Sequence, residues 1–430
     1  ALMYAAERGR LQILKTLLKH GARVDFQNNL GMSPMMYAAQ KGHFKIVQFL
    51  LLRGIKLDIT SLNGSSALIW GIRSKHENIA KLLLEAGAKT DILENEFQRS
   101  PLLLASMYGL ESTVQKLLSL GADLTKVDKQ GENALLLALS NKHFKTASLL
   151  IKSGISTNTQ DLKKRTPIME ASAQGSLELT RLLIKKGVDV NARDFVGKTS
   201  LMIAAAEGHI NIAKVLLREQ SRLDFRDRYG WTAWIYAAEK QQLPMVKFLS
   251  EKEIDNERNL FYAVSRGHLK VIKILLDLGI NIEIHDSQGW SLLMWAANNG
   301  HSKVVELLLN GGARINDITE KKSDSSGWTP LMLAAGGGHI EAVNTLIKKG
   351  SDLEAQDNDN WTALTWASIN GYHNIVGMLA NNGARIDVRS SDGATPLIWA
   401  ASQGHENVVQ TLLAKGSNIK LKDLHGKNAL

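Results

Sequence analysis

Residues 327–350 read GWTPLMLAAGGGHIEAVNTLIKKG, and nearly every position in that stretch has a structural task. Thr329-Pro330 starts a helix: the hydroxyl accepts an orphan amide of the first turn, and proline's fixed φ suits the first helical position. Ala334-Ala335 are small enough to let neighbouring helices approach. Gly338-His339 turns the chain, and Val343, Leu346 and Ile347 place an apolar stripe at helical spacing on a second helix. Gly350 ends that helix, where a left-handed residue is wanted. The stretch predicts a helix–turn–helix unit that cannot bury its own apolar face and has to stack on copies of itself.

The copies are there. A glycine after a Leu-rich stretch recurs at Gly21, Gly54, Gly87, Gly121, Gly154, Gly187, Gly279, Gly312, Gly350, Gly383 and Gly416, with Gln220 and Glu253 in the two slots between Gly187 and Gly279. The spacing is 33 or 34 almost throughout, and a fixed period of this size marks a repeat array. Period and wording together (a turn glycine, TPLHxAA, GH, then IVxLLLxxGA) resemble the ankyrin repeat along the whole chain. The resemblance implies an all-α ankyrin-repeat solenoid: thirteen stacked helix-turn-helix units joined by β-turn fingers, with the opening of a fourteenth at Asp423–Leu430.

Two intervals depart from the period. From the Glu253 slot to Gly279 seven residues are missing, with the turn-forming segment before Leu260-Phe261-Tyr262-Ala263 as the expected loss. From Gly312 to Gly350 five are inserted, and Thr319–Ser326 is the expected site of an elongated, mobile loop. The shortened repeat divides the array into an expected N-terminal domain, 1–253, and a Trp-rich C-terminal domain, 254–430. It is either a hinge or a tolerated deletion in a turn.

Charge follows a similar division. Residues 1–220 carry 30 Lys and Arg against 19 Asp and Glu, whereas 221–430 carry 22 against 23. The chain has no cysteine, which removes disulfides, thiolate metal sites and cysteine nucleophiles. No apolar run approaches the ~18 residues of a membrane span. The text opens and closes inside the motif, so a piece of a longer protein is expected.

No catalytic constellation survives the repeat explanation. Nine of the twelve histidines (His43, His76, His143, His209, His268, His301, His339, His373 and His405) lie at or beside the Gly-His slot, a whole repeat apart, and helix-boundary hydrogen bonding accounts for them better than metal ligation. GGGH at Gly336–His339 lacks the Lys-Ser/Thr of a phosphate loop and lies between two helices. Asn63-Gly-Ser65 and Asn360-Trp-Thr362 match glycosylation sequons but fall in turns for reasons of fold. The expectation is no enzyme, no cofactor and no metal. One departure from TPLH is systematic: its histidine gives way to apolar residues such as Met36, Ile69, Leu136, Met294 and Met332, with Thr365 the exception.

Two columns hold nearly all the tryptophan. The first helix carries Tyr4, Tyr37, Trp70, Tyr236, Tyr262, Trp295, Trp366 and Trp399, and the position after the turn glycine carries Trp231, Trp290, Trp328 and Trp361. Trp234 stands apart, in a core-leucine position. The resemblance implies that these columns line the concave face and the adjoining turns. Either they form a groove for a protein partner, an extended or helical segment with apolar anchors, or neighbouring aromatics stack on one another to stabilise the turns. A second surface is expected at the turn positions Lys126, Lys129, Lys163, Lys164, Arg165, Arg193, Lys198, Arg226 and Arg228, a basic edge for an acidic protein or an anionic membrane surface, or simply a solvated face. Nucleic acid is disfavoured, because Asp128, Asp161, Asp194 and Asp227 lie among these residues and repel phosphates.

The leading expectation is a non-catalytic protein–protein interaction scaffold, cytoplasmic in its own cell or in a host cell. The alternatives are the arm of a larger channel, enzyme or secreted bacterial effector whose activity lies outside these residues, and electrostatic docking of the basic half on an anionic surface.

Overall fold

A computed structural model describes residues 1–252, 255–319 and 327–430. Twenty-six helices occupy the described residues, from Leu2–Glu7 and Leu11–Lys19 to Pro396–Ser402 and Glu406–Ala414: thirteen pairs, as the period requires. β-structure among the described residues is confined to isolated bridges such as Val127–Asn133 and His285–Ser291.

The quoted stretch folds as its chemistry dictates. The Thr329 hydroxyl accepts the Met332 amide at 3.3 Å, and the first helix runs Pro330–Gly336. The second, Ile340–Lys348, buries Ala342, Val343 and Leu346, and Gly350 lies just beyond it at φ +90°. The same serine, threonine or asparagine cap opens other first helices at Ser33, Ser66, Ser100, Asn133, Thr166, Thr199, Thr232, Ser291, Thr362 and Thr395. Thr365, the exception among the apolar replacements, completes a capping box with Thr362.

Two compact units divide the chain, Ala1–Met245 and Val246–Leu430. In each, first helices pack on first helices and second on second, and the core is a continuous seam of apolar residues such as Leu68, Ile69 and Ile72 in the first unit and Leu331, Val343 and Leu346 in the second. Trp234 is wholly buried. The fingers also stack: the Leu162 amide donates to the Gln130 carbonyl at 2.9 Å, Phe195 to Lys163 at 2.9 Å, and Ser391 to Asp359 at 2.8 Å.

The Gly-His turns supply a further tie. The ring Nε2 of His43, His301, His339 and His405 lies 2.8–2.9 Å from a carbonyl of the preceding repeat (Glu7, Ser265, Asn298 and Ile369). Gln242 reaches the Ala206 carbonyl from the same slot at 3.3 Å. This explains Gly300: at φ +70° it adopts a left-handed turn, and a Cβ there would lie 2.5 Å from the His339 ring.

Both irregular intervals have a structural location. In the shortened repeat the first helix begins at Asn256, with five residues between it and the end of the previous helix at Ser250; Glu253 and Ile254 lie outside the described residues. In the long repeat the Thr319 amide donates to the Trp328 carbonyl at 3.1 Å, so Thr319 and Trp328 close the finger as Asp357 and Trp361 do one repeat later. The insertion falls between them, and the loop expected at Thr319–Ser326 lies, apart from Thr319, outside the described residues.

Candidate functional site

The aromatic columns are set by the start of each first helix. Every described tryptophan except Trp234 is half-buried. The residue on the first helix points its polar tip back at the turn residue nine positions earlier. The Trp295 Nε1–H donates to Asp286 Oδ2 at 2.9 Å and the Trp366 Nε1–H to Asp357 Oδ2 at 2.9 Å. Trp399 donates to the Ser390 hydroxyl at 3.4 Å and Trp70 to the Ser61 hydroxyl at 3.3 Å. Tyr236 donates its hydroxyl to Asp227 Oδ2 at 2.5 Å, and the Tyr37 hydroxyl accepts from the Asn28 side chain at 3.1 Å. Burial, joined by that hydrogen bond to Asp227, holds the Tyr236 phenol far above its ordinary range.

In the second unit the indoles touch in series. Trp328 meets Trp366 edge to face at 4.8 Å between centroids, Trp366 meets Trp361 at 4.7 Å, and Trp361 meets Trp399 at 5.2 Å. Trp290 and Trp295 form a separate pair at 5.3 Å. In the first unit Trp231 packs on Tyr236 at 5.1 Å. Tyr262, on the helix of the shortened repeat, is half-buried and lies 6.5 Å from the His268 ring.

Sequence reasoning missed the turn partner. Asp286 and Asp357 each use one oxygen to accept turn amides (Gln288 and Trp290; Asp359 and Trp361) and the other to accept an indole. The signal was available as a constant spacing of nine between a small polar turn residue and an aromatic one: 28 and 37, 61 and 70, 227 and 236, 286 and 295, 357 and 366, 390 and 399.

The residues of the basic edge have different fates. Lys163, Lys164 and Arg228 are exposed, the last lying over the Phe195 and Tyr229 rings at 5.6 Å. Lys129 donates to the Asn95 and Glu96 carbonyls at 3.0 and 2.8 Å. Arg193 donates to the Arg226 carbonyl at 2.5 Å, and Arg226 to that of Gly230 at 3.1 Å. These acceptors are neutral carbonyls, though Arg226 also lies close enough to Asp224 to help the Arg222 hydrogen bond hold that carboxyl below its usual range. Lys198 turns inward over the Tyr236 ring at 4.6 Å.

Arg165 does not project with them. It is half-buried among three carboxylates: Asp161 at 2.7 Å, Glu170 at 2.8 Å and Glu132 at 3.3 Å. Arg99 joins the network through Asp128 at 2.8 Å and Glu132 at 3.8 Å. Burial holds the carboxyl of Glu132 above the usual range, with Asp128 adding to the effect, and burial does the same to Glu170, against the pull of Arg165.

Among the described residues no group of three or more His, Cys, Asp or Glu is placed to hold a metal ion, and no helix is long and apolar enough to cross a membrane.

The comparisons agree with this architecture. The family model described as ankyrin repeats (3 copies) matches residues 2–96, 102–194, 194–259, 255–319, 316–390 and 349–423. The chain belongs to the ankyrin-repeat family, whose members are in general protein–protein interaction modules and typically not catalytic. No curated protein matches it.

Proposed function

We propose, with membership of the ankyrin-repeat family as the premise, that this chain is a non-catalytic scaffold that holds a protein segment along the tryptophans of its second unit. The observation that carries the reading is the unbroken series Trp328, Trp366, Trp361 and Trp399, in which each indole touches the next and each stays half-buried. Indoles need no exposed edge to stabilise a turn. A row of them with part of each ring open to water offers large contact area at low entropic cost, the composition of binding hot spots. The segment that suits such a row is extended or helical, with apolar anchors at repeat spacing.

The test is capture of partners from a cell extract by the full chain, at low and moderate salt. Each partner is then titrated against chain labelled at the indole nitrogens. Selective movement of the Trp328, Trp361, Trp366 and Trp399 resonances, with binding tolerant of salt, is the expected result. Partners that bind without moving those resonances would remove the proposal.

A second reading has its own observation. The second helices of the first unit, seven from Leu11–Lys19 to Ile210–Arg218, carry eleven Lys and Arg (Lys15, Lys19, Lys45, Lys81, Lys116, Lys145, Lys152, Arg181, Lys185, Lys214 and Arg218) against Glu77, Glu85, Glu111 and Glu178. Such a face favours docking on an acidic protein or anionic membrane surface, with binding that collapses as salt rises. A basic half and a Trp-rich half divided near 253 would then do separate work, and any catalysis would reside in residues outside this segment.

A further inference from the structure

The shortened repeat leaves more than a gap in the period. Between the helices Leu269–Asp277 and Leu292–Asn298 lie fourteen residues, 278–291, which carry a finger; ahead of Asn256–Ser265 lie five, 251–255. Five residues are too few for a finger of that kind, and the helix that follows has ten residues where its counterpart has seven. Elsewhere a finger tip donates to the tip before it, as Ser391 does to the Asp359 carbonyl at 2.8 Å. At Ser287, the equivalent position, no preceding tip among the described residues takes that bond.

What stands in place of the finger is a cavity of about 680 Å³, lined by Ser287 and by two kinds of side chain. Phe261, Tyr262 and Trp295 supply aromatic surface; Asp255, Glu257 and Asp286 supply carboxylates. Arg258 also reaches it, so three acidic groups stand against one basic group. The indole of Trp295 is held by Asp286, its Nε1–H donating at 2.9 Å, so one wall of the cavity is fixed before anything enters.

We infer that this cavity receives an arginine side chain of a partner segment. A neutral apolar anchor would strip water from Asp255 and Glu257 and return nothing to them, whereas Asp286 already accepts two turn amides and an indole. A cation gains from both walls, because aromatic faces attract it and the carboxylates accept its protons. Guanidinium fits better than ammonium: it is flat enough to lie on an indole or phenol ring, more weakly hydrated, and presents a fork of donors. The Ser287 amide beside it is available to a carbonyl of the same segment. The inference rests on the proposed reading of the chain as a protein-binding scaffold, and adds the identity of one anchor outside the tryptophan series.

The test uses the full chain labelled at the indole nitrogens and a small probe, butylguanidinium, with butylurea as its neutral, planar counterpart. Butylguanidinium moves the Trp295 resonance saturably and leaves Trp328, Trp361, Trp366 and Trp399 in place; butylurea binds roughly tenfold more weakly or not at all. The double variant Asp255→Asn/Glu257→Gln keeps its melting midpoint and weakens butylguanidinium roughly five- to tenfold. Equal binding of the two probes, no saturable shift at Trp295, or undiminished binding by the variant would overturn the inference. Butylammonium binding as tightly as butylguanidinium would overturn the assignment to arginine. None of these outcomes bears on the tryptophan series, which is read at other indoles and with captured partners.

Discussion

In four consecutive repeats of the first unit the position after the turn's left-handed residue is Arg99, Glu132, Arg165 and Lys198; in three repeats of the second it is Trp290, Trp328 and Trp361. One slot thus carries two chemistries. In the first unit the slot links repeat to repeat through charge: Arg99 to Glu132, Glu132 to Arg165. In the second it links them through rings, Trp328 to Trp366 and Trp361 to Trp399. The column residue on the first helix follows suit, Glu170 in one case and Trp366 in the other, and both are tied to a turn carboxylate, Glu170 by way of Arg165 and Trp366 directly. Where a polar or aromatic residue fills the column, the link between first helix and turn is made by either chemistry; Leu137, Ile203 and Leu333 fill the same column with aliphatic side chains. The surfaces that result differ: the charged version sets two arginines against four carboxylates, whereas the aromatic version leaves indoles half-open to water.

The balance of charge elsewhere sharpens the contrast. Residues 1–245 carry 34 basic against 22 acidic residues, and 246–430 carry 18 against 20. On the second helices of the second unit Lys270, Lys273, Lys303 and Lys348 are matched by Asp277, Glu306, Glu341 and Glu406. The excess in the first unit therefore stands mainly on its second helices, apart from the basic edge expected at the turns.

Trp366→Ala breaks the comparison most severely. Trp366 touches both Trp328 and Trp361 and donates to Asp357, so truncation removes the centre of the series and leaves a buried carboxylate oxygen without its donor. A loss of roughly 2–4 kcal/mol is expected, below the full cost for a wholly buried tryptophan because the ring is half-open. Urea unfolding followed by circular dichroism measures it. A change under ~0.5 kcal/mol would mean that the ring contacts contribute nothing to folding and that the residue is kept for binding alone.

Arg165→Ala is the matching cut in the first unit, with an expected loss of roughly 1–3 kcal/mol at neutral pH, moderated by the water that reaches the guanidinium. Asp161 keeps its bonds to the Lys163 and Arg165 amides at 2.8 Å, so the turn survives the loss of the side chain. The deficit should shrink on acidification, as the carboxylates left without a cation take up protons. A deficit that stays constant from neutral to acid pH would show that packing of the arginine stem, not charge, sets the cost.

These two residues also show what could be read from the sequence. The fold was fully legible, because hydroxyl caps, Gly-His turns and Leu stripes are local signals that recur in register along thirteen helix pairs, and each instance corroborates the rest. The aromatic columns were legible as columns. What could not be read was direction. Arg165 and Lys164 are neighbours with the same charge, yet one lies among carboxylates and the other faces water, because the turn's left-handed residue, Lys164 at φ +58°, sends successive side chains to opposite sides. Pairing across repeats, such as Arg165 with Glu132, depends on the register of one finger on the next, which no single repeat encodes. The notch at Trp295 was hidden for a related reason: a deletion announces missing residues, but not which side chains their absence uncovers.

Glu170→Gln has the smallest expected effect and the sharpest sign. Burial raises the carboxyls of Glu132 and Glu170 above the ordinary glutamate value of 4.5, even with arginine alongside. Between that value and the raised one, the folded chain binds more protons at these sites than the unfolded chain. Their contribution to stability is therefore greatest below the ordinary glutamate range and is lost as pH rises through the raised one, opposite to the usual behaviour of an ion-paired carboxylate. Glutamine keeps the shape and a hydrogen-bonding oxygen for Arg165 while removing the charge that burial penalises. Stability near neutral pH should stay level or rise by up to ~1 kcal/mol. The decline of stability as pH rises from the ordinary glutamate range through the raised one should become shallower than in the parent chain. Denaturant titrations of both proteins at a series of pH values give the difference directly, with titrating groups outside this network cancelling. A loss above ~1.5 kcal/mol at neutral pH would mean that the 2.8 Å pair with Arg165 outweighs the burial of the charge. The charged ladder would then stabilise its unit by attraction, as the tryptophans stabilise theirs by contact, and the two chemistries of the slot would be energetic equivalents.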